Sequence, residues 1–299
     1  MSDFSPETRN SAIWSGDSRK VAAGKANEVI LTKMGSIPIE DLSDVEAVQM
    51  GHVMEPVIGR LAQAKLGVEL NKIEGYITHS KESWLKSHFD FVGQKDGQQI
   101  LVECKNYSAS VRSKFDVENS VMPVSDMAQL VHEATVFGNS EMYLAVLFGG
   151  QEFVLIHKQI TDQDRNALIK TMSEIWGRVQ ARNPYPPETP EQARLLYPQS
   201  TDEVVTAPKH LESWCQQLHL IKNEIKRLEA SESELAASIQ SYMKNGSTLV
   251  SVAGDVLATW KCAKPGKRFD SKLFQSAMPD IYKQFEVETP GTRRFLVKG

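Results

Sequence analysis

Five of the chain's 13 prolines crowd into residues 183–200, NPYPPETPEQARLLYPQS. Proline fixes φ and lacks the amide hydrogen that a helix interior or a central strand needs, so neither element can run through this stretch. The composition predicts an extended, semi-rigid linker. It divides the 299 residues into a part spanning 1–182 and a part spanning 201–299. That length suits one core plus a smaller module.

In the first part, apolar periodicity switches between 3.6 and 2 residues. Asp17-Ser18 forms a capping pair ahead of a helical stretch reaching Met34-Gly35. From Glu46 to Leu66, the residues Met50, Val53, Met54, Val57, Ile58 and Leu61 line one helical face. Pro56 interrupts that helix and predicts a kink, because the carbonyl of His52 loses its donor. Strands are expected at Lys72–Thr78, His88–Gly93 and Ile100–Lys105, with Asp96-Gly97 turning between the last two. A helix follows near Ser125–Val136, then strands Tyr143–Phe148 and Glu152–His157 around Gly149-Gly150, then a helix from Asp162 to Val179. A mixed α/β fold, one sheet with helices on its faces, buries such a set most simply.

In the second part, Leu211, Trp214, Leu218, Ile221, Ile225 and Leu228 recur every three and four residues. The pattern continues through Leu235, Ile239 and Tyr242, with Glu232 the interruption. This predicts a long coiled-coil-like helix, closed by Asn245-Gly246. A small α+β module then reads strand, turn and strand over Thr248–Lys261, a helix from Asp270 and a last strand near Arg294–Val297. Residues 247–299 hold nine Lys/Arg and five Asp/Glu, a net of +4 against −4 for the whole chain, so the remainder carries −8. The tail is thus biased toward an anionic partner, while the chain as a whole is no basic nucleic-acid coat.

The chemistry concentrates where charge interrupts apolar strands. Asp90 lies between Phe89 and Phe91, and Glu103-Cys104-Lys105 follows Leu101-Val102. Residues i and i+2 of a strand share a face, so Glu103 and Lys105 point together while Cys104 points into the core. Asp90 can join them across the hairpin. Two carboxylates and an ammonium on a half-buried face are costly without a task. A hard divalent cation resolves that cost: Asp90 and Glu103 supply oxygen ligands suited to Mg²⁺ or Mn²⁺. Lys105 can then orient or deprotonate a water, or offset charge developing on a phosphoryl group. The spacing D-x(6–30)-[DE]-x-K also fits a solvated strand face with an incidental ion pair.

Further residues, in order, strengthen the first reading. They are Arg9 ahead of Ile13, Gly51-His52-Val53-Met54-Glu55, Phe89-Asp90, Glu103-Cys104-Lys105 and Met127-Ala128-Gln129-Leu130-Val131. This series resembles the phage lambda exonuclease and YqaJ-type viral recombinase family of the PD-(D/E)xK nuclease superfamily, over roughly residues 9–182 and more loosely beyond. The resemblance implies a restriction-endonuclease-like mixed sheet flanked by helices. It implies two Mg²⁺ ions held by Asp90, Glu103, the backbone carbonyl of Cys104 and Glu55, with Lys105 and Gln129 positioning the nucleophile. It implies an arginine, here Arg9, that grips a DNA 5′-phosphate. The family's phosphate-contacting serines are replaced: Gly16 stands at one place with Ser15 and Ser18 beside it, and His88 at the other. The expected activity is degradation of the 5′-ended strand at linear double-stranded DNA ends, leaving 3′ overhangs for a single-strand annealing protein. A ring of three subunits is the expected assembly, with only its bore needing to be basic.

Two rivals share features with this reading. An endonuclease of the restriction or RecB-like kind would use the same metal site on circular DNA, although an iron–sulfur member would carry a cysteine cluster. A non-catalytic DNA-end-binding scaffold would act through the +4 tail and the helical seam. Cys104, Cys215 and Cys262 are scattered and odd in number, which argues against a disulfide framework and for a reducing, cytoplasmic setting. MSDFSPETRN has no apolar core of a signal peptide, and no apolar run of 18 residues occurs, so no membrane span is expected.

Overall fold

The computed structural model describes residues 5–39, 41–288 and 291–298, so the first four residues of the N-terminal stretch read above lie outside it. The chain forms two compact units, divided between Tyr197 and Pro198.

The first unit opens with α1 (Pro6–Asn10), β1 (Ile13–Trp14), α2 (Ser15–Ala22), α3 (Ala26–Lys33) and α4 (Glu46–Leu66). The single helix expected from Asp17 to Met34 is two helices, because the chain reverses at Gly24, whose φ of +80° is open to glycine without strain. α4 runs unbroken through Pro56. Next come β2 (Leu70–Lys72), β3 (Ile77–Thr78), β4 (Leu85–Ser87), β5 (Phe91–Lys95) and β6 (Gln98–Tyr107). The strand expected at Lys72–Thr78 is divided between two sheets: β2 pairs with β5, and β3 pairs with β4. After a 3₁₀ turn at Ala109–Lys114 the unit continues with α5 (Val124–Phe137), β7 (Glu141–Phe148), β8 (Glu152–Gln159), α6 (Asp162–Gln180) and α7 (Pro190–Leu196).

Five strands form the main sheet in the order β2-β5-β6-β7-β8. All neighbours are antiparallel except β6 and β7, which run parallel with α5 in the crossover that such a pair requires. The mixed sheet flanked by helices is therefore present as expected. Period-two alternation sends its side chains to two cores. Leu101, Leu144, Val146 and Phe148 face a cluster with Leu130 of α5 and Met172 of α6. Ile100, Val102, Ala145 and Leu147 face a smaller cluster with Ile58 and Ala62 of α4. A second sheet, β1-β4-β3, pairs β1 with β4 in parallel.

The proline-rich stretch is not a free linker. Asn27 in α3 donates from Nδ2 to the Tyr185 carbonyl (3.1 Å) and accepts the Tyr185 amide on Oδ1 (2.8 Å). The Tyr185 hydroxyl donates to Glu174 (2.6 Å), and the Arg178 guanidinium lies 3.6 Å from the centre of its ring. Prolines that forbid a helix still permit a docked extended strap, and the strap reaches α7.

The second unit holds α8 (Lys209–Met243), β9 (Thr248–Val250) paired with β10 (Val256–Thr259), α9 (Ser271–Ala277) and α10 (Pro279–Gln284). The described stretch 291–298 contains no helix or strand, so the strand expected near Arg294–Val297 is not formed. Among the described residues no helix is long and apolar enough to cross a membrane.

Candidate active site

β6 sets the geometry. Its period of two puts Leu101, Glu103, Lys105 and Tyr107 on the face toward α5, while Ile100, Val102 and Cys104 face α4. The last β5–β6 pair is Phe91 with Val102, so one step further along the register brings Asp90 opposite Glu103. Asp90 is not itself in a strand. It sits at a bend immediately before β5, and its Oδ2 accepts the Cys104 amide of β6 (2.8 Å). That bond ties the carboxylate to the neighbouring strand at the point where regular pairing stops.

Glu103 is 5% exposed. Its Oε1 accepts from Lys105 Nζ (2.6 Å) and from Gln129 Nε2 (2.6 Å). Gln129 Nε2 also donates to Glu133 Oε1 (2.7 Å), one helical turn further along α5. Glu133 is buried and was not recognised in the sequence, although a fourth residue beyond Gln129 shares its helical face. The Gln129 Oε1 is buried without a hydrogen-bond partner. Burial, then the Glu103 charge, hold the carboxyls of both Asp90 and Glu133 well above the usual carboxylate range. Burial works against the Lys105 charge, but Glu103 outweighs it and the ammonium is held more firmly than usual. The Cys104 thiol is pushed up by burial and by the surrounding carboxylates, so it is an inert apolar group here.

Two supports flank this centre. Glu55 on α4 is close enough to Asp90 to raise its carboxyl further, and Lys72 of β2 donates to Glu55 Oε1 (2.7 Å). On the other side Asp126 Oδ1, at the start of α5, accepts from Arg19 (2.8 Å) and from the Tyr107 hydroxyl (2.8 Å). Burial pushes the Tyr107 phenol up to about 12, and the Arg19 charge opposes that rise. Lys72 and the Arg19–Asp126–Tyr107 group were not among the sequence-predicted site residues. They come from segments joined only by sheet and helix packing.

Of the residues read as a phosphate pocket, Arg9 and His88 lie near each other and Ser18 does not join them. The His88 ring stacks on Trp14 (5.2 Å between centres), and its Nδ1–H donates to the Gly75 carbonyl (2.8 Å). Burial and then Arg9 shift the His88 ring, partly offset by the Gly75 bond, toward its neutral form. Arg9, near enough to His88 to be felt, offers its carbonyl to Trp14 Nε1 (3.0 Å) and to Lys33 Nζ (2.6 Å). Ser15, half-buried, begins α2. Ser18 must be withdrawn from the pocket. It is fully buried, and its hydroxyl donates to His132 Nδ1 (2.7 Å), a core pin between α2 and α5. Trp14 is 5% exposed and belongs to the core.

The donor set is hard oxygen throughout, and mutual repulsion of Asp90, Glu103 and Glu55 is the cost a divalent cation removes. The orphaned Gln129 Oε1 adds an unsatisfied acceptor beside it. Among the described residues no three His, Cys, Asp or Glu side chains are already gathered around one point, because Glu103 is turned to Lys105 and Glu55 to Lys72. An ion would compete with those ammonium groups for the carboxylates.

Residues 11–140 match the family model of the YqaJ-like viral recombinase domain. The chain is 25% identical over 281 residues to the uncharacterized protein YqaJ of Bacillus subtilis (strain 168), covering 91% of this chain and 85% of that protein. Among solved structures it is similar to the alkaline exonuclease LHK-Exo of Laribacter hongkongensis, with a TM-score of 0.46, 13% identity and coverage of 58% of this chain and 91% of that one. It is also similar to a phage related exonuclease of Haemophilus somnus 129PT, with a TM-score of 0.44, 11% identity and coverage of 57% and 92%.

Proposed function

We propose, for a chain whose residues 11–140 match the YqaJ-like viral recombinase family, a metal-dependent exonuclease that degrades the 5′-ended strand of linear double-stranded DNA and leaves a 3′ overhang for strand annealing. The observation that carries this reading is the clustering of Asp90 and Glu103 across the β5–β6 register with Lys105 bonded to Glu103. Asp90, Glu103, the Cys104 carbonyl and Glu55 would hold Mg²⁺ or Mn²⁺. When bound, the metal supplies Lewis-acid stabilisation of the scissile phosphate. Lys105 keeps its proton and faces the phosphoryl oxygens as a fixed positive charge. Gln129 holds Glu103 in place from one side and is itself anchored by Glu133. Arg9, Ser15 and His88 would receive the 5′-phosphate. Arg9 suits that task, because a guanidinium fork matches a terminal phosphate better than an ammonium does. A ring of three subunits around the DNA, in the cytoplasm, completes the proposal.

The test offers the full chain with Mg²⁺ three DNAs: linear 5′-phosphorylated, linear 5′-hydroxyl and closed circular. Digestion of the phosphorylated linear DNA, with the circle intact, is expected. Lys105→Ala should lower the rate by a factor of about 10² or more, the size of a lost charge-stabilising donor. Cutting of the closed circle would establish an endonuclease instead. End binding without cutting, in Mg²⁺ and in Mn²⁺, would establish a scaffold. Undiminished cutting by Lys105→Ala would remove the site assignment.

A further inference from the structure

α8 is 35 residues long, about 52 Å at 1.5 Å per residue, and it carries its apolar seam in the open. Trp214, Ile221, Ile225, Leu228, Leu235 and Tyr242 are all exposed, at 48–80%. The spacing of this seam is an unbroken alternation of three and four over five heptads. Leu211, Leu218, Ile225, Glu232 and Ile239 take the first core position, and Trp214, Ile221, Leu228, Leu235 and Tyr242 the second. A seam of this length left in water is a surface waiting for a partner.

Charge decides which partner and in which direction. In a parallel pair of identical helices Glu232 meets Glu232 inside the core, and Glu224 meets Glu229 on the flank. Both contacts are repulsive. In an antiparallel pair the first core position of one helix packs against the second of the other. One register then matches all ten layers: Leu211 against Tyr242, Trp214 against Ile239, Leu218 against Leu235, Ile221 against Glu232 and Ile225 against Leu228. The same register sets Lys222 of each copy beside Glu229 of the other, twice per pair. It also places the Glu232 layer next to Lys222, the residue after Ile221. Sliding by one heptad loses two of the ten layers and sets Lys222 against Lys222, or Glu229 against Glu229. Within one chain Glu224 is already paired with Arg227 (2.7 Å), whereas among the described residues Lys222 and Glu229 form no ion pair. Of the three charges that flank the seam, Lys222, Glu224 and Glu229, the two without an intrachain ion pair among the described residues are the two that the antiparallel register consumes.

We propose that α8 is a docking surface for a second copy of this chain, bound antiparallel in the register that sets Leu211 against Tyr242. This interface is independent of the nuclease reading, since it uses no residue of the first unit.

The test is sedimentation of the full-length chain over a range of micromolar concentrations, with each variant read relative to the parent so that association through the first unit cancels. The parent should associate. Lys222→Glu and Glu229→Lys should each weaken that association about tenfold, through two like-charge contacts per pair, and the double variant should restore it. In Ala236→Cys, oxidised glutathione should give a chain-to-chain disulfide between Cys215 and the introduced thiol of the second copy, identified by peptide mass. Glu229→Lys that tightens the association would show a parallel pair, relieved of its Glu224–Glu229 contact, and would overturn the proposal. So would a parent chain whose mass is unmoved by either charge variant, the result expected if a different protein covers the seam.

Discussion

At the scale of single residues, the legible part of the site is what one strand's geometry dictates. Glu103 and Lys105 share a face because they are two apart, and Asp90 reaches them across one hairpin. Lys72 and Arg19 were hidden because their place depends on pairing and packing between distant segments. Ser18 misled because a hydroxyl near an arginine reads alike whether it faces phosphate or a buried imidazole. Its partner carries a prediction. The His132 Nε2 must donate to the Lys86 carbonyl (2.9 Å), which leaves Nδ1 to accept from Ser18. Burial pushes the ring down to about 4, offset only in part by the Lys86 bond. An unfolded histidine titrates near 6.5, so between these values the unfolded chain binds more protons than the folded one. Stability from this group is therefore complete above about pH 6.5 and is lost as pH falls toward 4, by about 3 kcal/mol at the limit. Urea unfolding of the parent and of His132→Gln at pH 7.5, 6 and 5 should show the gap between them narrowing as pH falls. A constant gap would mean that His132 is not held neutral.

At the scale of elements, strongly periodic segments were legible: α5, β7, β8, α6 and α8 fall within a few residues of their expected bounds. Misplacement came where tertiary pairing redirected a short run, as when β2 and β3 joined different sheets. Glycine in α4 shows the same division. Gly51, which heads the motif leading to Glu55, has open space where a Cβ would stand. Gly59 does not: a Cβ there would lie 2.5 Å from the Phe91 ring, so it is the glycine that lets α4 approach β5. Gly51→Ala should be neutral or stabilise by up to about 1 kcal/mol from helix propensity. Gly59→Val should cost about 2 kcal/mol by overpacking, with a matching fall in Tm. If Glu55 on α4 contributes to a metal site as proposed, the Gly59 variant should also weaken Mg²⁺ binding more than Gly51→Ala does. Equal melting temperatures for the two variants would show that Phe91 yields freely.

At the scale of the whole molecule, the chain divides between Tyr197 and Pro198, inside the proline-rich stretch 183–200, but the sequence does not show that most of this stretch belongs to the first unit. Proline density locates the segment in which regular structure must stop. It cannot say whether that segment floats or docks, because docking is decided by Asn27 and Arg178, more than 150 residues and a few residues away respectively. Both hydrophobic clusters lie wholly within the first 185 residues, and Tyr185 is the last residue packed against them. A chain ending at Tyr197 therefore keeps both cores and the strap. A chain ending at Arg182 keeps the cores but leaves the Asn27 side chain, 5% exposed as a residue, without its two Tyr185 backbone bonds. Unmaking bonds to a buried amide costs about 1–3 kcal/mol, and the lost ring contact with Arg178 adds to it. Residues 1–197 should thus unfold in one cooperative transition, at a urea midpoint above that of residues 1–182. Removing Tyr185 alone, as Tyr185→Ala in the 1–197 chain, should recover less than the full difference, because alanine keeps both backbone bonds to Asn27. Coincident midpoints for 1–197 and 1–182 would return the stretch to the status of a free linker.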